Sequence, residues 1–587
     1  MNRAKHFLFF FFIFLIPTLG FGQVSLVPAS HQVYDWLHLQ RVKGNLTNYS
    51  YEALPLTRKQ ILSYLDQVKK AEKLNSIDSQ LLRWYYQEFS LNYISESKPN
   101  TYLQRWDSTF TSSVKRKFKQ LISNEEPHLF TYKTDSLFIA MDYKISSGVM
   151  AVNDASLDFQ ETATLDVFQT TLYGGLYNLL GAHVDIYNPL IGKTGMLSYH
   201  PEWGQTFDGM KQDKGSTLYT EAFVSFQYKQ LGIHVGNGDL KYGYSGSEAQ
   251  ILRKDAGNFD WFRINLDTKY IQYTLLHGTL RTNTTVIEVE GYPGVLSRFS
   301  PERWFALRRI QITPTNWFTA GFTESLIYSN RPIELSYLNP FQLLRLGEYE
   351  SLDKDNPLWF FDGSIRPIRN IELYATLGVD DLVSIGDIFK PSKERTSPES
   401  SATISYQAGI NVSLPTSTKL NIEVLQFDPY FYTHWQLFNS YDELGSPLGA
   451  SIGPNSRQFY VSVRQWLPWR SFIDVSFESV KKGFNVVDAN GELLLDVGGD
   501  IFQGIPSVNG EEVDLFAGDV HKWNAIKVKF EIEPRRGIRF FGTYRYRFIN
   551  QGTQIDDLSI FYGGMEINFI PFITNVLGVI PGMNYIF

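Results

Sequence analysis

Few residues in this chain have the types and spacing that chemistry needs. Asp380 and Asp381 are adjacent carboxylates at the end of an apolar stretch, the residue type that glycoside hydrolysis uses. Neighbours on a strand point to opposite faces, so the two cannot flank one bond as an acid/base pair must. A structural or calcium-like role suits them better. The ten histidines are scattered, with no His-Glu-x-x-His spacing for zinc. Gly243–Glu248 reads Gly-Tyr-Ser-Gly-Ser-Glu and lacks the strand-to-helix setting of a nucleophile elbow. Cysteine is absent, which excludes disulfides and thiolate metal sites. No catalytic constellation and no cofactor site emerges, so an enzyme is not expected. The stretch from Pro429 to Ser456 is different in kind. Tyr430, Tyr432, His434, Trp435 and Tyr441 lie among Asn, Asp and Gly. Aromatic faces beside amides and carboxylates can stack on sugar CH faces and satisfy sugar hydroxyls, which makes Tyr430, Tyr432, Trp435 and Tyr441 candidate glycan contacts. The alternative is that these rings fold the loop or belong to a membrane-interface girdle.

The elements that must hold such a loop are written in the composition. Phe, Tyr and Trp number 44, 34 and 12, or 15% of the chain, yet mean hydropathy is slightly negative at −0.20. The formal charge is −7, which gives no reason to expect nucleic acid. Arg3 and Lys5 precede an apolar run from Phe7 to Ile16, followed by Pro17 and the small residues Gly20 and Gly22. That is the order of a secretory signal peptide over residues 1–22, too short to span ~30 Å of hydrocarbon as a helix. Later residues hold no apolar run long enough for a transmembrane helix.

Residues 23–135 read as a helical region. Thr57 with Gln60 forms a capping box ahead of Ile61, Leu62, Leu65 and Val68. A second helix follows Ser76, striped by Leu81, Leu82, Trp84, Tyr85 and Phe89. A third is expected from Ser112 to Ser123, its Lys115, Arg116, Lys117 and Lys119 forming a solvated face. From residue 136 to 587 the period changes to two. In Lys419–Phe427, Leu420, Ile422 and Val424 share one face while Lys419, Asn421 and Glu423 share the other, and Lys527–Ile532 repeats the pattern. Strands of this kind run from 139–150 to 556–568. Short links near Asn178, Gln230, Thr268, Thr315, Ile368, Thr416, Pro468 and Arg535 alternate with long ones such as 189–216, 429–456 and 481–521. Tight turns at one end and long loops at the other mark an all-β transmembrane barrel of the Gram-negative outer membrane. About eighteen antiparallel strands are expected, in a range of roughly sixteen to twenty. Trp466 and Trp469, Trp317, and the clusters at Trp261, Trp304 and Trp359 are expected to form two interfacial belts. Residues 571–587, ending in Phe587, read either as a tail or as the final strand. Such a barrel encloses water unless something fills it. The helical region is the candidate filler, as a lumenal plug or a periplasmic cap.

Several short motifs resemble the Wzi family of capsule-assembly outer-membrane proteins. Val33–Leu37 followed by Pro55–Ile61 resembles the family's opening segment and helix start. Leu338-Asn339-Pro340, then Asp355-Asn356, Asp362 within Phe360–Gly363, and Asp380-Asp381 after the strand Ile371–Leu377 resemble its central block. The resemblance implies an eighteen-stranded barrel with a periplasmic helical portion and a lectin-like role in attaching capsular or surface polysaccharide. Outer-membrane lipid and envelope proteins are the further partners expected. Related proteins of gliding bacteria keep a motility or secretion accessory role open, and a diffusion porin is the other alternative.

Overall fold

Alternation along each strand organises the molecule. In Thr418–Phe427, Ile422 is exposed outside the wall, while Lys419 lines an internal cavity and Glu423 is buried inside. The computed structural model describes residues 23–71, 74–90, 100–101, 128–155, 159–192, 219–282, 285–288, 296–299, 301–350, 354–380, 385–395, 402–503, 512–551 and 554–568. The signal segment, the expected third helix, Asp381 and the 571–587 segment lie outside the described residues.

Eighteen strands form one closed antiparallel circuit. In chain order they are β1 Leu137–Asp154, β2 Phe159–Leu176, β3 Leu180–Gly192, β4 Tyr219–Tyr228, β5 Leu231–Asn237 and β6 Asp260–Asp267. Then come β7 Ile271–Leu280, β8 Arg303–Thr315, β9 Phe318–Ser329, β10 Asn356–Ile368, β11 Ile371–Asp380 and β12 Thr403–Leu414. The last six are β13 Thr418–Phe427, β14 Ser456–Leu467, β15 Ser471–Phe484, β16 Asp519–Arg535, β17 Ile538–Gln551 and β18 Gln554–Asn568. Each strand pairs with the next, and β18 closes on β1 from Leu558 opposite Asp154 to Asn568 opposite Lys144. The expected number of strands is therefore present. β1 and β2 run 18 residues each, longer than the alternation suggests, because their pairing continues to Asp154 opposite Phe159. That end of the barrel also carries the long loops, yet β1–β2 and β17–β18 cross it through residues 155–158 and 552–553 alone. The short turns at the opposite end put Tyr177-Asn178 and Trp469-Arg470 at positive φ, both residues of each pair. Two consecutive left-handed residues match the right-handed strand twist in a tight hairpin.

Three helices, α1 Val33–Val42, α2 Arg58–Lys69 and α3 Ser76–Ser90, form a head in the short-turn mouth. The capping box at Thr57 and Gln60 is formed. Trp36, Leu37, Ile61, Leu65, Leu81 and Phe89 share one buried core with Trp466 and Phe472 of the wall. Hydrogen bonds tie the head to turn after turn around the rim. Gln23 donates to Asn178 (3.2 Å), Asn48 to Lys269 (3.0 Å) and Asn75 to Ser417 (2.8 Å). Asn370 donates to Val42 (2.9 Å), Arg470 to Glu88 (2.8 Å) and Arg536 to Trp84 (2.8 Å).

The aromatic belts differ from expectation for a simple reason. Adjacent rings on a strand face opposite ways. Trp317 and Trp469 are about half exposed, and Phe361 is exposed outside the wall. Trp261, Phe305, Phe360 and Trp466 instead face inward and are buried in the lumen. On the outer wall, Arg308 of β8 sits opposite Glu324 of β9, where lipid would meet both charges. Residues 330–350 fold down over them. Arg308 donates to the Ser336 carbonyl (3.1 Å), while Glu324 accepts from the Leu344 amide and the Trp359 indole (3.1 Å each). The flap buries Tyr337 and Leu344 against Ala306, Leu326 and Tyr328 and leaves Leu335 and Phe341 facing outward. Replacing residues 334–349 by a flexible linker is expected to destabilise the barrel in lipid vesicles by about 2–4 kcal/mol from the bared arginine alone. Adding Arg308→Leu and Glu324→Leu should restore most of the loss, read as urea midpoints of the heat-modifiable folded band.

Candidate functional site

The lumen is divided between a dry half and a wet half. On the β6–β13 side, two loops from the long-loop end fold inward. Residues 238–259 descend until Lys241-Tyr242 pairs antiparallel with Ala53-Leu54 of the head. Tyr244 donates to Glu52 (3.1 Å), and the Gly246 amide donates to Glu423 of the wall (2.6 Å). A Cβ at Gly246 would stand 1.8 Å from the Asn421 amide oxygen, so only glycine lets the loop backbone reach that carboxylate. Residues 428–455 pack above. Tyr432 and Tyr441 stack at 5.0 Å and donate to the Gln250 and Ile251 carbonyls (2.5 and 2.7 Å). Phe259, Phe305, Phe360, Phe427 and Leu448 complete this core.

The residues singled out by sequence are thus distributed rather than gathered. Tyr432 and Tyr441 have no exposed surface, Tyr430 is 7% exposed, and Trp435 is 53% exposed. Asp380, at the end of β11, accepts from the Tyr432 amide (2.9 Å) and so anchors the loop. Asp362 points inward from β10 and makes a two-pronged pair with Arg309, one arm at 2.8 Å. Asn339 and Pro340 lie exposed on the outer flap, where the Pro340 carbonyl accepts from Tyr273 (2.8 Å). Asp355 pairs with Arg331 of the same flap (2.8 Å). These motif residues hold loops to the wall.

The wet half, along β13–β17, holds a cavity of about 470 Å³. It runs from Asp35 and Tyr51 of the head to Phe484 and Trp523 at the long-loop end. Ten Lys and Arg line it against five Asp and Glu, the reverse of the chain's net negative charge. Three of the arginines are paired. Arg464 bonds Asp35 and Asp474 (2.6 Å to the latter), Arg545 bonds Glu478 (2.8 Å), and Arg253 meets Glu248 at 3.4 Å. Lys529 reaches Glu531 at 3.5 Å. Lys241, Lys254, Lys419, Lys482 and Lys527 have no carboxylate within ion-pair distance among the described residues. Lys241 Nζ has no hydrogen-bond partner and lies 3.3 Å from the centre of the Tyr51 ring. Burial pushes its ammonium down to about 7. Burial opposes charge on Asp35 as well, but Arg464, Lys419 and Lys254 hold its carboxyl well below the usual range. Lys419 and Lys527 were legible as inward polar positions. Lys241 and Lys254 were not, because nothing periodic announces a loop that folds inward.

A family model described as capsule assembly protein Wzi matches residues 147–554. Among solved structures, the chain is similar to Wzi of Escherichia coli. That protein is described as an outer-membrane protein involved in group 1 capsule assembly and a carbohydrate-binding β-barrel. The likeness is 14% identity over 93% of this chain and 99% of that one, with a TM-score of 0.55, and it speaks for the fold. OpdO and the outer membrane protein OpdK of Pseudomonas aeruginosa each cover 73% of this chain, and 96% and 98% of their own. Their identities are 9% and 7%, their TM-scores 0.41 and 0.38. No curated protein matches the chain.

Two outcomes follow from the buried charges. Asp362→Ala strands Arg309 without its counter-ion and should cost about 3–5 kcal/mol in urea unfolding, with Asp362→Ala/Arg309→Met recovering much of it. His38 of α1 donates from Nε2 to Glu372 (2.7 Å) and faces Lys419 through Nδ1 (3.4 Å). Burial first, then Lys419, lowers its pKa from 6.5 to about 4. The undocked head would bind a proton that the docked head refuses, so docking should weaken as pH falls from 6.5 to about 4. Protease release of the head should show that slope, and His38→Gln should flatten it.

Proposed function

The chain belongs to the Wzi family of capsule assembly proteins, and on that premise we propose that it binds capsular or surface polysaccharide at the face of the outer membrane and retains it there. The filled lumen is the observation that carries this reading. A head tied to the short-turn rim and a loop that descends to meet it occupy the interior and leave a charged cavity. That arrangement suits a ligand that is held, whereas a diffusion pore needs an open bore. Tyr460, Phe484 and Trp523 offer ring faces for sugar stacking, with amides, hydroxyls and carboxylates between them for sugar hydroxyls. Trp435 keeps an exposed ring in the 428–455 loop as a second stacking surface, while Tyr430, Tyr432 and Tyr441 support the loop that presents it. In this reading residues 1–22 direct export, residues 23–135 form the periplasmic head and residues 136–587 the membrane body. The function is binding and assembly, without a catalytic step.

A deletion strain is the test. Its cells are expected to shed polysaccharide into the medium that the parent and a complemented strain keep attached. Equal retention in all three would remove the proposal. In planar bilayers the purified protein should give no large steady conductance, and a porin-like open state would favour passage over holding.

A further inference from the structure

We propose that the lumenal cavity is an anion site, and that it takes the carboxylates of an acidic polysaccharide onto lysines converging from the inward loop and the wall. The inference rests on the polysaccharide-binding reading above and adds where the chain is held and what charge it carries.

The carrying observation is a cluster of unmatched lysines around one space. Elsewhere inside the barrel, several buried cations meet carboxylates, and others such as Arg263 donate to backbone carbonyls. Arg309 has Asp362, Arg539 has Glu531 and Glu566, and Arg41 has Glu52 and Glu372. Burying an unmatched charge is expensive, so such matching is the expected state of a closed interior. The wet cavity departs from it. Five lysines, Lys241 and Lys254 of the inward loop, Lys419 of β13, Lys482 of β15 and Lys527 of β16, line one space without a carboxylate partner among the described residues. Lys241 is only 5% exposed and its ammonium has no hydrogen-bond partner, so the site is built rather than superficial. An anion entering the cavity supplies the counter-charge that the fold omits.

The chemistry of the ligand follows from the donors. These five are lysines, which act as flexible point charges, while Arg253, Arg464 and Arg545, with their planar forks, are already engaged with carboxylates. Point charges on mobile stems suit carboxylates that recur along a sugar chain at varying angles. Trp523, Phe484 and Tyr460 line the same space, and their rings match the apolar faces of sugars between the charged groups. A volume of about 470 Å³ lies in the range of small-ligand sites, ~300–1,000 Å³, so a short stretch or chain end enters rather than a bundle. The cavity reaches Phe484 and Trp523 at the long-loop end, where a surface polymer would approach.

The test uses the full chain in detergent and three probes of similar length: an alginate oligosaccharide as polyuronate, a dextran oligosaccharide as neutral glycan, and polyphosphate. The polyuronate should bind, and its affinity should fall as salt rises from about 50 to 500 mM, because screening weakens ionic contacts. Lys241→Met and Lys527→Gln should each weaken it about tenfold, the size of one charge-assisted hydrogen bond. Lys527→Arg should keep most of the affinity. Lys254→Gln, on a partly exposed loop position, serves as the variant least able to disturb folding, and heat-modifiable migration verifies each barrel. Dextran bound as well as alginate, or alginate binding unmoved by all three neutral variants, would overturn the inference and leave polysaccharide binding intact. Polyphosphate bound equally well would replace carboxylate by phosphate chemistry and overturn the assignment. If no probe binds while the deletion strain loses its surface polymer, the inference falls and the wider function stands. If that strain keeps its polymer, the wider function falls with it.

Discussion

In hydrocarbon no water is available to an unpaired amide, so a sheet that crosses a membrane has to consume its own edges. The pairing of β18 with β1 does this, and the rest of the molecule depends on it. Closure separates an outside that touches lipid from an inside that cannot drain its charges to bulk water. Outside, Arg308 and Glu324 on the wall are covered by a flap that turns Leu335 and Phe341 outward. Inside, Arg309 with Asp362 and Arg539 with Glu566 settle their charges within the wall itself.

The interior is filled from both ends. The head occupies the short-turn mouth because those turns stand around it as a ring of donors and acceptors, and because Trp466 and Phe472 turn inward to extend its apolar core. The 238–259 loop comes from the opposite end and ends in a two-residue ladder with the head. Each contact is small, but together they convert a wide tube into a packed half and a wet half. The stacked Tyr432 and Tyr441 belong to the packed half, where the flat ring and the single hydroxyl of each serve burial and one backbone carbonyl.

Function resides in the wet half. A family defined by capsule assembly, a filled bore and a cavity rich in cations and rings agree on a protein that grips a polymer at the cell surface. Gripping needs no flux and no turnover. It needs a rigid frame and a few cations left without a carboxylate until the ligand arrives. Those groups, Lys241, Lys254, Lys419, Lys482 and Lys527, come from the wall and from the inward loop, so the loop's descent assembles the site.

The period-two alternation, the short and long links and the capping box at Thr57 are local properties, and local properties are legible in a sequence. From them came the barrel, its eighteen strands, the helices α2 and α3 and the inward placing of Lys419 and Lys527. The tertiary structure decided what the loops do. Nothing along 428–455 distinguishes a tyrosine that meets a sugar from one that stacks under a loop. That depends on which way the loop folds, and hence on partners such as Asp380 and Gln250, 52 and 182 residues away. The same holds for the aromatic belts, where Trp466 and Trp469 differ by three positions and by the side of the wall they face. Period tells which residues share a face. Only closure of the sheet, and what then folds into it, tells whether that face meets lipid, water or another part of the chain.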